Sequence, residues 1–196
     1  MPGRGSKLES VRVAAVILAG GQGRRMGGAD KGLIEYQGRP LIEWALAALA
    51  PQIDELVISA NRNFDTYAAY GHRVLPDTLP DFPGPLAGVL AAMQAVAADW
   101  LQVAPCDTPH LPADLVARLL AAAQRANVPL AVAADAARVH HSCFIVRTDQ
   151  RDNLAGYLAR GARAVRHWQA GLPSTTECFE AACFANFNQP QDLRAG

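Results

Sequence analysis

Residues 18–33 read LAGGQGRRMGGADKGL, a stretch in which bare backbone and positive charge occur together. Glycines let backbone N–H groups approach an oxyanion with no Cβ in the way. Arg24 and Arg25 offer planar forks and Lys31 a point charge, the donor set that suits a polyphosphate tail. Two carboxylates stand downstream in proline-marked turns, Asp77 in Pro-Asp-Thr and Asp107 in Pro-Cys-Asp-Thr-Pro. The bland alternative for Asp77 is a turn residue, and for Asp107 the start of a turn or helix.

The P-loop pattern G-x-x-x-x-G-K-[ST] fails here. Gly23 and Gly28 have the spacing, but Ala29 and Asp30 follow them. The dinucleotide fingerprint G-x-G-x-x-G fails too, because Met26 takes the place of its third glycine and the run at 55–59 leads into Ala-Asn instead of an acidic residue. L-A-G-G-x-x-x-R-M-G followed by a lysine fits throughout, through Leu18, Ala19, Gly20, Gly21, Arg25, Met26, Gly27 and Lys31. That pattern resembles the signature loop of nucleotidyltransferases. The bland alternative is a glycine-rich turn with solvated basic residues. The buried run immediately before it, and the spaced lysine, weigh against that.

The loop must be carried by something. Val11–Leu18 is an apolar run without alternation, broken only by Arg12, which predicts a strand buried on both faces. Pro40 opens a helical pattern with Leu41, Ala45 and Leu49 on one face. Strands are expected at 55–59, 73–75, 100–104, 130–133 and 143–146, with one or two more in 178–187. Helices are expected at 64–70, around Leu86 to Ala97, from Pro112, at 151–160 and at 162–170, with a last short one capped by Asn188. Residues 76–88, with four prolines and two glycines, read as loop. Strands alternating with helices predict an α/β fold: a Rossmann-like three-layer α/β/α arrangement around a mostly parallel sheet. Ligands bind such sheets outside the carboxyl ends of the strands, which is where the glycine-rich loop, Asp77 and Asp107 fall.

The chain has 196 residues, with 51% apolar, 18% charged and a formal net charge of zero. This suits a compact domain and leaves no global field to recruit nucleic acid or an acidic membrane. Residues 1–10, MPGRGSKLES, read as a flexible leader and 11–196 as one domain. No signal-like segment or apolar run of about 18 residues is present, so a cytoplasmic protein is the expectation. The nearest two of the four cysteines, Cys178 and Cys183, are five apart, which argues for reduced thiols over a zinc site or disulfide scaffold.

GGQGRRMGGADKGL, with ANR at 60–62, PD at 76–77, DFPGPLAG at 81–88, PCDTPHLP at 105–112 and FANFNQPQDL at 184–193, resembles the molybdenum cofactor guanylyltransferases of the MobA type. The resemblance runs over nearly the whole chain after residue 12. It implies transfer of GMP from GTP to molybdopterin, with release of pyrophosphate and with Mg²⁺ as cofactor. Leu18, Ala19 and Gly20 would then line the base and ribose, and Gly21, Arg25 and Lys31 the phosphates. Asp77 would face the nucleoside, by guanine N–H groups or ribose hydroxyls, and Asp107 would bind the metal. Arg25, Lys31 and Asp107 are the implied catalytic residues.

Ser59 stands where the family often has asparagine, and its nucleotide contact is in doubt. Asn186 and Asn188 match closing asparagines near the second substrate, although Asn188 could be only a helix cap. His140-His141 replaces a His-Pro pair. As strand neighbours the two rings face opposite ways, which argues against a shared metal, while His140 could approach the pterin. A monomer is the expectation, with other molybdenum-cofactor biosynthesis proteins as candidate partners; the sequence says little about oligomeric state, because the apolar helical stripes are accounted for by the core. The rivals are a transferase of this fold using CTP or another acceptor, a non-catalytic nucleotide-binding protein, and an NADP-dependent oxidoreductase reading a 2′-phosphate with Arg62.

Overall fold

The computed structural model describes residues 11–20, 30–77, 84–185 and 187. The leader at 1–10 and the last helix expected after Asn188 lie outside these residues. The strands are β1 (Val13–Leu18), β2 (Glu35–Tyr36), β3 (Arg39–Pro40), β4 (Glu55–Ser59), β5 (Arg73–Leu75), β6 (Trp100–Pro105), β7 (Leu130–Ala134), β8 (Val139–Arg147) and β9 (Ser174–Cys178). The helices are α1 (Leu41–Leu49), α2 (Phe64–Ala68), α3 (Pro85–Ala95), α4 (Leu115–Ala126), α5 (Arg151–Ala159) and α6 (Val165–Ala170).

Seven strands form one sheet in the order β5-β4-β1-β6-β8-β7-β9, and only β8 runs against the rest. The mostly parallel sheet is therefore as expected. β1 sits between β4 and β6, and its run is apolar throughout because both faces are covered. Val13, Ala15 and Ile17 pack with Ile42, Leu49 and Leu119 on one side. Ala14 and Val16 pack with Leu86, Val89 and Met93 on the other.

Several boundaries differ from the expectation for local reasons. α3 begins at Pro85, inside the stretch read as loop, because Gly84 takes φ +87° and a proline fits the first helical position. α4 begins at Leu115, after a turn in which the Leu115 N–H bonds the Pro112 carbonyl. It ends where Asn127 adopts the left-handed conformation at φ +52°. α6 starts only at Val165.

Among the described residues, the one or two strands expected at 178–187 are not formed there. Only Cys178 belongs to a strand, as the end of β9, and Ala181–Phe184 make a 3-10 turn. Phe179 and Phe184 are buried because this segment packs on the core, and a short apolar run does not distinguish the two outcomes. The β2–β3 hairpin was not anticipated. Gln37 and Gly38 take φ +50° and +74°, the pair of positive values that a tight two-residue turn needs.

Candidate active site

Pairing register places four strand ends in one row. Leu18 of β1 stands opposite both Ser59 of β4 and Pro105 of β6, and Ser59 stands opposite Leu75 of β5. Gly20, Asn61, Asp77 and Asp107 each lie two residues beyond that row. Backbone bonds extend the alignment past the strands, from Ala19 N–H to the Ser59 carbonyl (2.8 Å), Ala60 N–H to Leu75 (3.0 Å) and Cys106 N–H to Leu18 (3.2 Å). Residues distant in sequence are thus delivered to one edge of a rigid sheet.

Lys31 donates from Nζ to Asp107 Oδ2 at 2.9 Å, with both side chains largely covered. Lys31 opens a 3-10 turn over Lys31–Leu33, and Asp30 caps it by accepting from Gly32 N–H at 3.3 Å. Asp30 is itself buried. It also accepts from Tyr67 OH (2.5 Å) and Asn63 Nδ2 (2.9 Å), and Arg62 Nε lies 3.4 Å away. A buried carboxylate persists only when donors surround it, and here they come from β4's outgoing loop, α2 and its own turn. Burial, then the bond to Asp30, pushes the Tyr67 phenol well above its ordinary range, so it stays a donor. Gly32 is required beside this pair, since a Cβ there would lie 2.5 Å from Tyr67 Oη.

Asp77 Oδ2 accepts from Asn61 Nδ2 at 2.7 Å, and the Asp77 N–H donates to Asn61 Oδ1 at 2.9 Å. Ser59 Oγ reaches Asp77 Oδ1 at 3.5 Å. Ser59 is buried, and a Cβ on Gly88 would run into its hydroxyl, so α3 packs here only through glycine.

Phe187 N–H donates to the Asp107 carbonyl at 3.1 Å. Its ring lies 4.5 Å from that of Tyr36, whose carbonyl accepts from Trp44 Nε1. The β2–β3 hairpin that follows Lys31 and the turn that carries Asp107 are therefore clamped through one aromatic cluster.

Of the expected site residues, the structure brings Lys31 and Asp107 into contact and joins Ser59 to Asp77. It sets Leu18, Ala19 and Gly20 on the same edge. Gly21, Arg25, Asn186 and Asn188 lie outside the described residues. Arg62, considered for a 2′-phosphate, is engaged with Asp30. His140 is buried, bonds Asp135 Oδ2 through Nε2 at 2.8 Å and stacks on Phe184 at 4.2 Å. His141 bonds Gln169 Oε1 through Nδ1 at 2.6 Å. His140 is thus packed in the core, while the exposed His141 is held by Gln169.

Burial, then the neighbouring Asp107 and Asp30, pushes the Cys106 thiol up, so it remains a protonated packing group. Sequence reading missed Asp30, Tyr67, Asn63 and Tyr36. An acidic residue inside a cationic loop was the one available signal.

Among the described residues no cluster of three or more His, Cys, Asp or Glu could hold a metal, and no helix is long and apolar enough to cross a membrane. A single carboxylate such as that of Asp107 suits a magnesium ion that takes its other ligands from substrate phosphates and water.

A mostly parallel sheet with a glycine-rich sequence after β1, and a lysine facing a carboxylate at the strand ends, is the arrangement of a nucleotidyltransferase. The family model described as MobA-like NTP transferase domain matches residues 15–174. The chain belongs to that family, on the branch of the molybdenum cofactor guanylyltransferases. Proteins of that name from Burkholderia ambifaria and Burkholderia lata are 47% and 46% identical, covering 97% and 95% of this chain and 98% and 96% of theirs. The one from Shewanella amazonensis is 43% identical over 94% of this chain and 95% of its own. Among solved structures, molybdopterin-guanine dinucleotide biosynthesis protein A from Archaeoglobus fulgidus superposes with a TM-score of 0.77, at 22% identity, over 93% of this chain and 95% of that one. At that identity it speaks for the fold.

Proposed function

We propose that this chain transfers GMP from GTP to the terminal phosphate of molybdopterin, releasing pyrophosphate and forming the guanine dinucleotide form of the cofactor. The observation that carries the reading is the Lys31–Asp107 contact at the strand ends. The acceptor follows from the names of relatives that share nearly the full length of the chain.

A phosphate oxygen of molybdopterin forms a bond to the α-phosphorus of GTP as the bond from that phosphorus to the bridging oxygen breaks. The electron pair leaves with pyrophosphate. A phosphate monoester is ionised at neutral pH and needs no general base. Lys31 places its ammonium where charge builds on the departing group. Gly20 opens the backbone to close approach by the base and ribose, and Gly21 and Arg25 join Lys31 in the grip on the phosphates. Leu18 and Ala19 border the nucleoside, and Asp77 accepts from it. Asp107 would hold Mg²⁺, which when bound supplies fixed positive charge to the phosphates. Asn186 and Asn188 flank Phe187 and are assigned to the acceptor side.

The test is mass analysis of the product after incubation with GTP, magnesium and molybdopterin, beside pyrophosphate release with each of the four NTPs. The guanine dinucleotide and preference for GTP are expected. Release only with CTP, or no dinucleotide, overturns the reading.

A further inference from the structure

Asn61 has no role in the mechanism above, yet it is tied on both sides into the site. It lies on the loop after β4, and β4 lies between β5 and β1 in the sheet. Toward β5 its carboxamide makes two bonds to one residue, donating from Nδ2 to Asp77 Oδ2 at 2.7 Å and accepting at Oδ1 from the Asp77 N–H at 2.9 Å. These two bonds fix both the side chain and the backbone of Asp77. They also fix which end of the amide points where, since only the NH₂ end can face the carboxylate. Toward β1, a Cβ on Gly20 would lie 3.2 Å from Asn61 Nδ2 and 3.9 Å from its Cγ. The glycine of the loop leaves the space the amide fills.

We propose that Asn61 is the positioning residue for Asp77: it engages Oδ2 of the carboxylate and thereby turns Oδ1 toward the nucleoside. Oδ1 itself meets a long contact, from Ser59 Oγ at 3.5 Å. A carboxylate two residues beyond a three-residue edge strand would otherwise rotate freely, and each substrate would have to order it anew. The inference rests on the reading that Asp77 faces the nucleoside, and it adds that the selectivity of that contact is set from a neighbouring strand. Serine or alanine at 61 would leave Asp77 present but unaimed. Aspartate would set two carboxylates against each other.

The test is a double-variant cycle on GTP affinity in the presence of magnesium, by calorimetry, with Asn61→Ala, Asp77→Ala and the pair, and with kcat and KM measured in parallel. Asn61→Ala is expected to weaken GTP binding about tenfold, the size of a lost hydrogen bond to a charged group, and to act on KM with kcat within about twofold. In the Asp77→Ala background the same change is expected to add nothing. Asn61→Asp, which matches the native shape, should reproduce the loss and serves if the alanine variant does not fold. Multiplying effects, or Asn61 variants binding like wild type while Asp77→Ala binds weakly, would overturn the positioning role alone. An Asp77→Ala protein that binds GTP normally would overturn the reading of Asp77 and this inference with it.

Discussion

The ammonium of Lys31 rests 2.9 Å from Oδ2 of Asp107, a residue 76 positions further along the chain. One group arrives on the turn that ends the glycine-rich loop, the other on the turn leaving β6. Each needs the other's charge close by, and both side chains are largely covered.

Replacing either partner should remove turnover and leave the fold. Lys31→Ala and Asp107→Ala are each expected to lower kcat by about 10²-fold or more, the usual effect of deleting a charge that meets the transition state. The double variant should fall little further than the worse single one, because the groups act as a unit. Since the pair retains some exposure, melting should shift by no more than about 1 kcal/mol equivalent. Steady-state kinetics beside thermal melts check both halves, and unchanged turnover in the two single variants would refute the assignment.

The Asp30 network should instead show itself in stability. Tyr67→Phe removes one donor from a buried carboxylate and is expected to destabilise the protein by about 2 kcal/mol. Asp30→Asn leaves Tyr67, Asn63 and Arg62 facing an amide and should cost about 3 kcal/mol. Gly32→Ala forces a methyl group onto the same phenol and should be destabilising too. Urea denaturation of the three variants measures this directly. A midpoint equal to wild type in Tyr67→Phe would contradict the buried bond.

The four thiols should separate by exposure. Cys178 is exposed and is expected to react first with a thiol-specific disulfide reagent at neutral pH. Cys183 is partly covered, and burial followed by the nearby Glu180 pushes its thiol up, so it should react more slowly. Cys106 and Cys143 are buried, with Cys143 pushed up by burial to about 12, and should react only after unfolding. Mass-resolved labelling gives the order, and early labelling of Cys106 would refute it.

Acid stability should depend on Asp135. Its carboxylate accepts from the N–H groups of Ala137 and Arg138, and then from His140, which together hold its pKa below the ordinary carboxylate value. The unfolded chain therefore binds this proton at a higher pH than the folded one. The contribution is complete above the ordinary value, about 3.9, and is lost as pH falls through the lower folded value. Melting temperatures measured from pH 6 down to pH 2 should fall more steeply in wild type than in Asp135→Asn. Parallel profiles would show that the turn does not carry this linkage.

What could be read without coordinates followed from local rules. The unalternated run before Gly20, the glycine-rich stretch with Lys31, and the alternation of strands and helices are properties of short windows, so a mostly parallel α/β fold and its family were legible from them. Asp77 and Asp107 could be marked because each closes a strand-like run in a Pro-Asp or Cys-Asp turn. The Phe179–Phe184 segment could not be placed, because its burial comes from packing on α4 and the sheet and not from a strand period. Asp30 could not be singled out, since its four donors come from residues 32, 62, 63 and 67 and meet only when β4 and α2 lie beside the Lys31 turn. Sequence by itself determined which groups exist and which strand ends carry them. Tertiary structure decided which of them touch, because the register of β5, β4, β1 and β6 sets Asp77, Asn61, Gly20 and Asp107 in one row, and strand register is a property of the paired sheet that no single strand contains.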